Sequence, residues 1–345
     1  MELWHDNNDN WQAAQDALIN AGLTDGLPVV PPTAARVRAM LDAHGFDGAE
    51  VITDLPPLFA PVTWQDVAIN AVLAGCLPAY LPVVGAAVEG IAQGAFNLVG
   101  IATTTGSAAP MIIVNGPVVQ NIGLNAEGNV FGPGHRANAT IGRALTLVLR
   151  NVGGAIPGEL DMSTIGQPAK YTCCIAENET ASPWAPLHVE RGFRKEQDVV
   201  TVVNAEAPHS MTENVQTDAV EIMRTFASSM ATLGVNNLYS QGHPVLALGL
   251  EHVQNFAAAG MSKRDVQTKL FAMARQPWGL MKNRGKSKGP RFPEFVDQSN
   301  DNSMVPIVNA PEDLIVIVAG GAGGKSMFLP TAGGQSLSVS KLIEP

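Results

Sequence analysis

The chain has 345 residues, of which 46% are hydrophobic and only 15% charged, with 34 Gly, 24 Pro and a net charge of −10. That balance excludes a disordered chain, and the length accommodates one large domain or two of ordinary size with a substantial core. The negative charge argues against nucleic acid as the main partner, which needs clustered cations.

Three cysteines, two of them adjacent (Cys173, Cys174), form no disulfide framework and suit a reducing compartment. The N-terminus "MELWHDNNDNW" has neither a basic nor an apolar signal region, so a cytoplasmic protein is expected.

Residues 10–21 read as a short helix closed by Gly22. In "TDGLPVVPPTAARVRAMLDAHG" a turn at Asp25 precedes a predicted strand over Leu27–Val30. A helix capped by Thr33 and closed by Gly45 follows. Between Asp66 and Glu89 lie 22 residues without a formal charge. That is long enough to span a bilayer, but Pro78, Pro82 and the lack of flanking cations predict a buried helical core broken at the prolines, so no membrane partner is expected. No Lys or Arg occurs between Arg38 and Arg136.

"NLVGIATTTG" and "PMIIVNGP" read as strands ending in turns, and "ATIGRALTLVLRNVGG" as a helix with Ile141, Leu145, Val148 and Leu149 on one side. "KYTCCIA" and "DVVTVVNA" read as strands. "SMTENVQTDAVEIMRTFASSMATLG" reads as a long amphipathic helix opened by a Ser210-x-x-Glu213 capping box. "GHPVLALGLEHVQNFAAAG" reads as strand then helix, and Ser262-x-x-Asp265 opens another helix ending before Pro277.

The expected class is α/β, with mixed sheets and flanking helices. The shared Pro-Val and the Val nine residues later (Val37, Val253) hint at two related lobes, 1–200 and 201–345. The element order matches no standard doubly wound or barrel count, so no topology is assigned.

"LIVIVAGGAGGKSMFLP" (314–330) imitates a phosphate-binding P-loop. A P-loop must open a helix, whereas Pro330 follows almost at once and leaves no room for one. Two readings remain: a tight glycine connection, or a nest of amides in which Gly321, Gly323 and Gly324 hold an anion beside Lys325. Gly132-x-Gly134-x-x-Ala137 imitates a dinucleotide fingerprint without the strand that motif needs. Arg136 and Asn138, at the start of an apolar helix, are candidates for binding a carboxylate; Arg136 could equally pair with an acid.

Cys76, in "LAGCLPAY", reads either as inert packing or as a thiolate nucleophile or redox thiol. His252, at a strand-to-helix junction, reads as a structural histidine or a proton carrier, and Asp25 as a turn residue or an acid/base. Thr104 and Thr105 end one predicted strand and Asn115 another, where they either cap turns or line a polar pocket. No histidine or cysteine spacing predicts a metal, no cofactor is assigned, and no Gly-x-Ser-x-Gly elbow marks a serine hydrolase. Lys282, Arg284, Lys286, Lys288 and Arg291 form a basic loop, either solvated or a lid for an anion.

"DGLPVVPPT" (25–33), "AGCLPAYLPVV" (74–84), "NATIGRAL" (138–145), "NVGGAIPG" (151–158) and "SPW" (182–184) together resemble a bacterial family. Its members are fused to, or encoded beside, small proteins with a Sec/Cys-Gly-Ser-Cys (UGSC-type) motif. That motif is absent from this chain. The resemblance implies thiol or selenol chemistry in an assembled enzyme, with this chain as the catalyst or as the substrate-binding half beside a thiol- or selenol-bearing partner.

Two expectations follow. In the first, an oligomeric enzyme cleaves or hydrates a carbon–heteroatom bond in a small anionic molecule: Cys76 attacks, His252 or Asp25 moves a proton, and Arg136 and the glycine loop hold the anion. In the second, the chain is a non-catalytic binding subunit; a metal-dependent lyase is a further alternative.

Overall fold

The computed structural model describes residues 11–285, 292–333 and 336–344. Helices α1 (Trp11–Asn20) and α2 (Ala34–Asp42) lead into a hairpin of β1 (Val51–Leu55) and β2 (Ala60–Thr63). Next come α3 (Trp64–Ala74), α4 (Leu81–Ala92), α5 (Leu98–Ala102), β3 (Ala109–Asn115), α6 (Val118–Asn121), α7 (Arg136–Asn151) and β4 (Cys174–Ala176). They are followed by α8 (Leu187–Glu190), β5 (Val199–Ala205), β6 (His209–Thr212), α9 (Ala219–Met230), α10 (Asn237–Ser240) and β7 (Val245–Leu248). The chain closes with α11 (Leu250–Ala258), α12 (Lys263–Met273), β8 (Arg275–Pro277), α13 (Trp278–Met281), β9 (Met304–Pro306), β10 (Ile315–Val318), β11 (Lys325–Leu329) and β12 (Val339–Leu342).

The fold is α/β with mixed sheets and flanking helices. One four-stranded sheet runs β12-β5-β3-β4 and the other β10-β7-β11-β6. In each, one pair is parallel (β3 with β4, β10 with β7) and the remaining pairs are antiparallel. Side-chain alternation along the strands explains how the sheets meet. Met111 and Ile113 of β3, Val203 of β5, Ala247 of β7 and Ile317 of β10 share one buried core between the sheets. Their neighbours point outward: Ile112, Val114 and Val202 pack with α3, α4 and α7, and Leu246, Leu248 and Val316 with α9, α11 and α12. The layers are therefore helix, sheet, sheet, helix. Continuous apolar runs such as β3 and β5 are strands buried on both faces.

The uncharged stretch is α3 and α4, broken at the prolines and deeply buried. Among the described residues, no single helix is long and apolar enough to cross a membrane. Gly85 lets α4 pass over Trp64, and Gly142 lets α7 lie against the start of β4. A Cβ at Gly142 would come 2.5 Å from Thr172 Oγ1 and 2.7 Å from the Cys173 backbone nitrogen. We expect Gly142→Ala to lose about 2 kcal/mol of stability in urea unfolding, because the clash outweighs the roughly 1 kcal/mol helix-propensity gain. An unchanged midpoint would mean the contact yields freely.

Several elements differ from expectation. Leu27–Val30 joins no sheet: the Gln15 side chain bonds both the amide and the carbonyl of Val29 instead. "NLVGIATTTG" begins as α5, because Asn97, at φ 53°, caps it through the Gly100 amide. The Ser210-x-x-Glu213 signal opens no helix. Ser210 lies in β6, paired with β11, and α9 starts after Asp218, whose carboxylate accepts from the Val220 and Glu221 amides. The Ser262 capping box forms as expected. β5 crosses the expected boundary at residue 200, and β12 returns to the first sheet. Of the basic loop, Lys282 pairs with Asp301, whereas Lys286, Lys288 and Arg291 lie outside the described residues.

Candidate functional site

A cavity of about 720 Å³ opens beside the N-terminal end of β3. That volume suits a small organic ligand. Its floor is apolar, built from Ile101 and Ala102 of α5, Ala109 of β3, and Leu147 and Leu149 of α7. Its outer wall is the irregular segment 155–171, which ends in Lys170 and Tyr171. That wall is pinned to the turn before β3: Ser163 Oγ donates to the Gly106 carbonyl at 2.7 Å, and the Thr164 amide to the Thr105 carbonyl at 2.9 Å. Ile165, 93% exposed, stands at the mouth.

The cavity's ionisable groups can be summed. Asp25 sits in a turn that Gly26 makes possible with φ 94°. Arg143 grips Asp25 with two bonds of 2.7 Å. Burial alone would raise the Asp25 pKa, but the hydrogen bonds and charge of Arg143 outweigh it, so the carboxyl is held below its usual range. The stability this pair contributes is therefore present above the ordinary carboxylate range and lost as pH falls through the lowered value. Lys170 pairs with Asp161 at 2.6 Å.

Arg150 is different. Its guanidinium makes one long bond, 3.4 Å, to the Gly22 carbonyl, its Nε has no partner, and it meets no carboxylate among the described residues. Two neutral pairs and one uncompensated guanidinium leave the cavity with a single positive charge.

A second cavity, about 260 Å³, lies at the C-terminal ends of β7 and β10. Gly321, Gly323 and Lys325 line it, whereas Gly324 is buried against Glu213 and Asn214. The strand β11, not a helix, follows the glycine loop, which removes the P-loop reading.

The remaining candidates do not converge on either cavity. Arg136 Nε donates to the Gly75 carbonyl at 2.9 Å, next to Cys76, and Cys76 Sγ donates to the Thr140 carbonyl at 3.3 Å. Neither residue lines either of these two cavities. Burial pushes the Cys76 and Cys173 thiols up to about 12, and Cys174 is also raised. A thiolate attack from Cys76 therefore lacks both the anion and the access it needs.

His252 is buried between two partners. Its Nε2–H donates to the Glu213 carbonyl at 2.9 Å, and its Nδ1 accepts from Ser326 Oγ at 2.8 Å. With both nitrogens engaged, it locks the β7–α11 turn. Asn138 clamps the Asn125 backbone through its amide oxygen and nitrogen. The Thr104 hydroxyl caps its own turn at Gly106. Asn115 is fully buried and donates to Glu177 and Glu179. The single cavity expected for Cys76, Arg136 and the glycine loop is thus two separate places: Cys76 and Arg136 lie side by side away from both cavities, and the glycine loop lines the second one.

Arg150, Lys170, Asp161 and Gln167 escaped the sequence reading. One signal was present: Arg143, Thr146 and Arg150 repeat at helical spacing on one face of α7.

We expect the three thiols of the folded chain to resist alkylation at about pH 8 and to react once unfolded. Rapid labelling of Cys76 in the native chain would reinstate it as a nucleophile.

No protein-family model matches the chain, and no curated protein sequence does.

Proposed function

We propose that this chain is the substrate-binding component of an enzyme acting on a small organic carboxylate, with the covalent thiol or selenol chemistry supplied by a partner protein. The observation that carries the reading is the uncompensated Arg150 guanidinium beside an apolar floor in a ligand-sized cavity. A carboxylate on Arg150 would complete the charge balance, and an apolar body would cover Leu147, Leu149 and Ile101. Two further features favour binding over unaided catalysis: both cavity carboxylates are already paired, and none of the thiols lines either of the two cavities described.

The test is thermal denaturation of the isolated chain with short aliphatic and aromatic carboxylates and their matched primary amides. Carboxylates raise the melting temperature and amides do not. Equal stabilisation by both classes would remove the anion from the account, and turnover by the isolated chain would remove the partner.

A further inference from the structure

The second cavity lies outside the proposed carboxylate site and is built differently. Its base is the run Gly320–Gly323, between β10 and β11. Gly320 and Gly323 have φ of 96° and 127°, while Gly321, Ala322 and Gly324 do not enter the left-handed region. Two left-handed glycines within four residues bend the run into a tight glycine loop, the kind of turn from which anion-binding concavities are built.

The hydrogen-bond accounting agrees. The Gly320 amide donates to the Ala126 carbonyl and the Lys325 amide to Gly323, but the amides of Gly321, Ala322, Gly323 and Gly324 have no acceptor among the described residues. Of these, Gly321, Ala322 and Gly323 line the cavity, where their amides are open to solvent or to a ligand. A Cβ built on Gly320 or Gly323 would meet nothing within 4 Å, so both face open space.

The side chains around the cavity add donors. Lys325 contacts Asn214 at 2.9 Å and meets no carboxylate, and the Ser210 hydroxyl has no described partner. The acids nearby are accounted for. Glu213 is occupied by the Val215 and Gln216 amides and the Thr225 hydroxyl, while Glu127 and Glu251 are exposed and line no part of the cavity. Ser326 takes no part, since its hydroxyl turns to His252.

We propose that this cavity binds a phosphate-type oxyanion, free or as a small phosphate ester, held by the 321–323 amides and the Lys325 ammonium. The tetrahedral class follows from the donor set: three amides, a hydroxyl and an ammonium exceed what two carboxylate oxygens use well, and a compact dianion gains most from a glycine loop beside a cation.

The experiment is a titration of the full-length chain with inorganic phosphate, with chloride at matched ionic strength as control. It is read by the backbone amide resonances of 321–323. Saturable shifts with phosphate alone are expected, and Lys325→Met weakens the midpoint about tenfold. Lys325 is exposed, so this variant folds. Phosphate binding survives Arg150→Met. Unmoved amides, equal shifts with chloride, or an unaffected Lys325→Met midpoint would overturn the proposal. Loss of phosphate binding in Arg150→Met would instead assign the anion to the larger cavity, so failure here is distinguishable from failure of the carboxylate reading.

Discussion

Lys263→Met destabilises the fold by about 3–5 kcal/mol at neutral pH, because it strands a buried carboxylate. The Lys263 side chain is 3% exposed. Its ammonium donates to the Ala185 carbonyl at 2.7 Å and Glu190 at 3.0 Å, and lies 3.6 Å from Glu177 Oε1. Glu177 has no exposed side-chain surface and accepts from Asn115 and the Leu187 amide, both at 2.7 Å. Burial pushes the Glu177 pKa up, and the Lys263 charge is the largest of the effects pulling it back.

Removing the ammonium therefore raises that pKa further. A carboxyl with a raised folded-state pKa contributes stability below its unfolded value and loses it as pH rises through the folded one. The deficit of the variant against wild type should consequently shrink as pH falls. Urea unfolding of both proteins at about pH 8 and about pH 5 measures this. A deficit below about 1 kcal/mol, or one independent of pH, would mean that the cluster is hydrated rather than sealed.

Arg150→Met abolishes most carboxylate binding while leaving the melting temperature near wild type. The two readouts separate because the Arg150 side chain supports little of the fold: one 3.4 Å bond to Gly22 is its only side-chain hydrogen bond among the described residues. A carboxylate seated on the guanidinium would be charge-assisted and partly desolvated, and losing such a partner costs about 2–4 kcal/mol, roughly thirty- to a thousand-fold in affinity. Arg150→Lys should fall between, keeping the charge but losing the planar fork. Arg143 behaves otherwise: its replacement leaves Asp25 without its cation and lowers stability as well as binding. Calorimetric titration with the best carboxylate from the thermal panel reads the affinities. Equal affinity in wild type and Arg150→Met would remove Arg150 from the site.

The contrast between Arg136 and Arg150 explains what the sequence could and could not reveal. Arg136 stands out as the first cation after a long gap, yet it spends its guanidinium on a neighbouring carbonyl. Arg150 looks ordinary in the chain. It matters because Asp25, α5, the α7 face and segment 155–171 surround it, and nothing local encodes that assembly.

Strands β3 and β5 were legible because burial on both faces forces continuous apolar runs. The capping box at Ser262 was legible because its hydrogen bonds are local. The same pattern at Ser210 failed because pairing with β11 claimed the backbone first. The cavity also lies by the N-terminal end of β3, whereas the expectation for α/β sheets looks to the carboxyl ends of strands. Of the two cavities, the smaller glycine-loop one sits there.

The most direct measurement is a crystal structure of the chain with that carboxylate bound. The account predicts difference density in the 720 Å³ cavity, with the ligand's carboxylate in bidentate contact with Arg150 and its apolar body against Leu147 and Leu149. A ligand bound elsewhere, or one in this cavity with its carboxylate turned to solvent and Arg150 untouched, would contradict it.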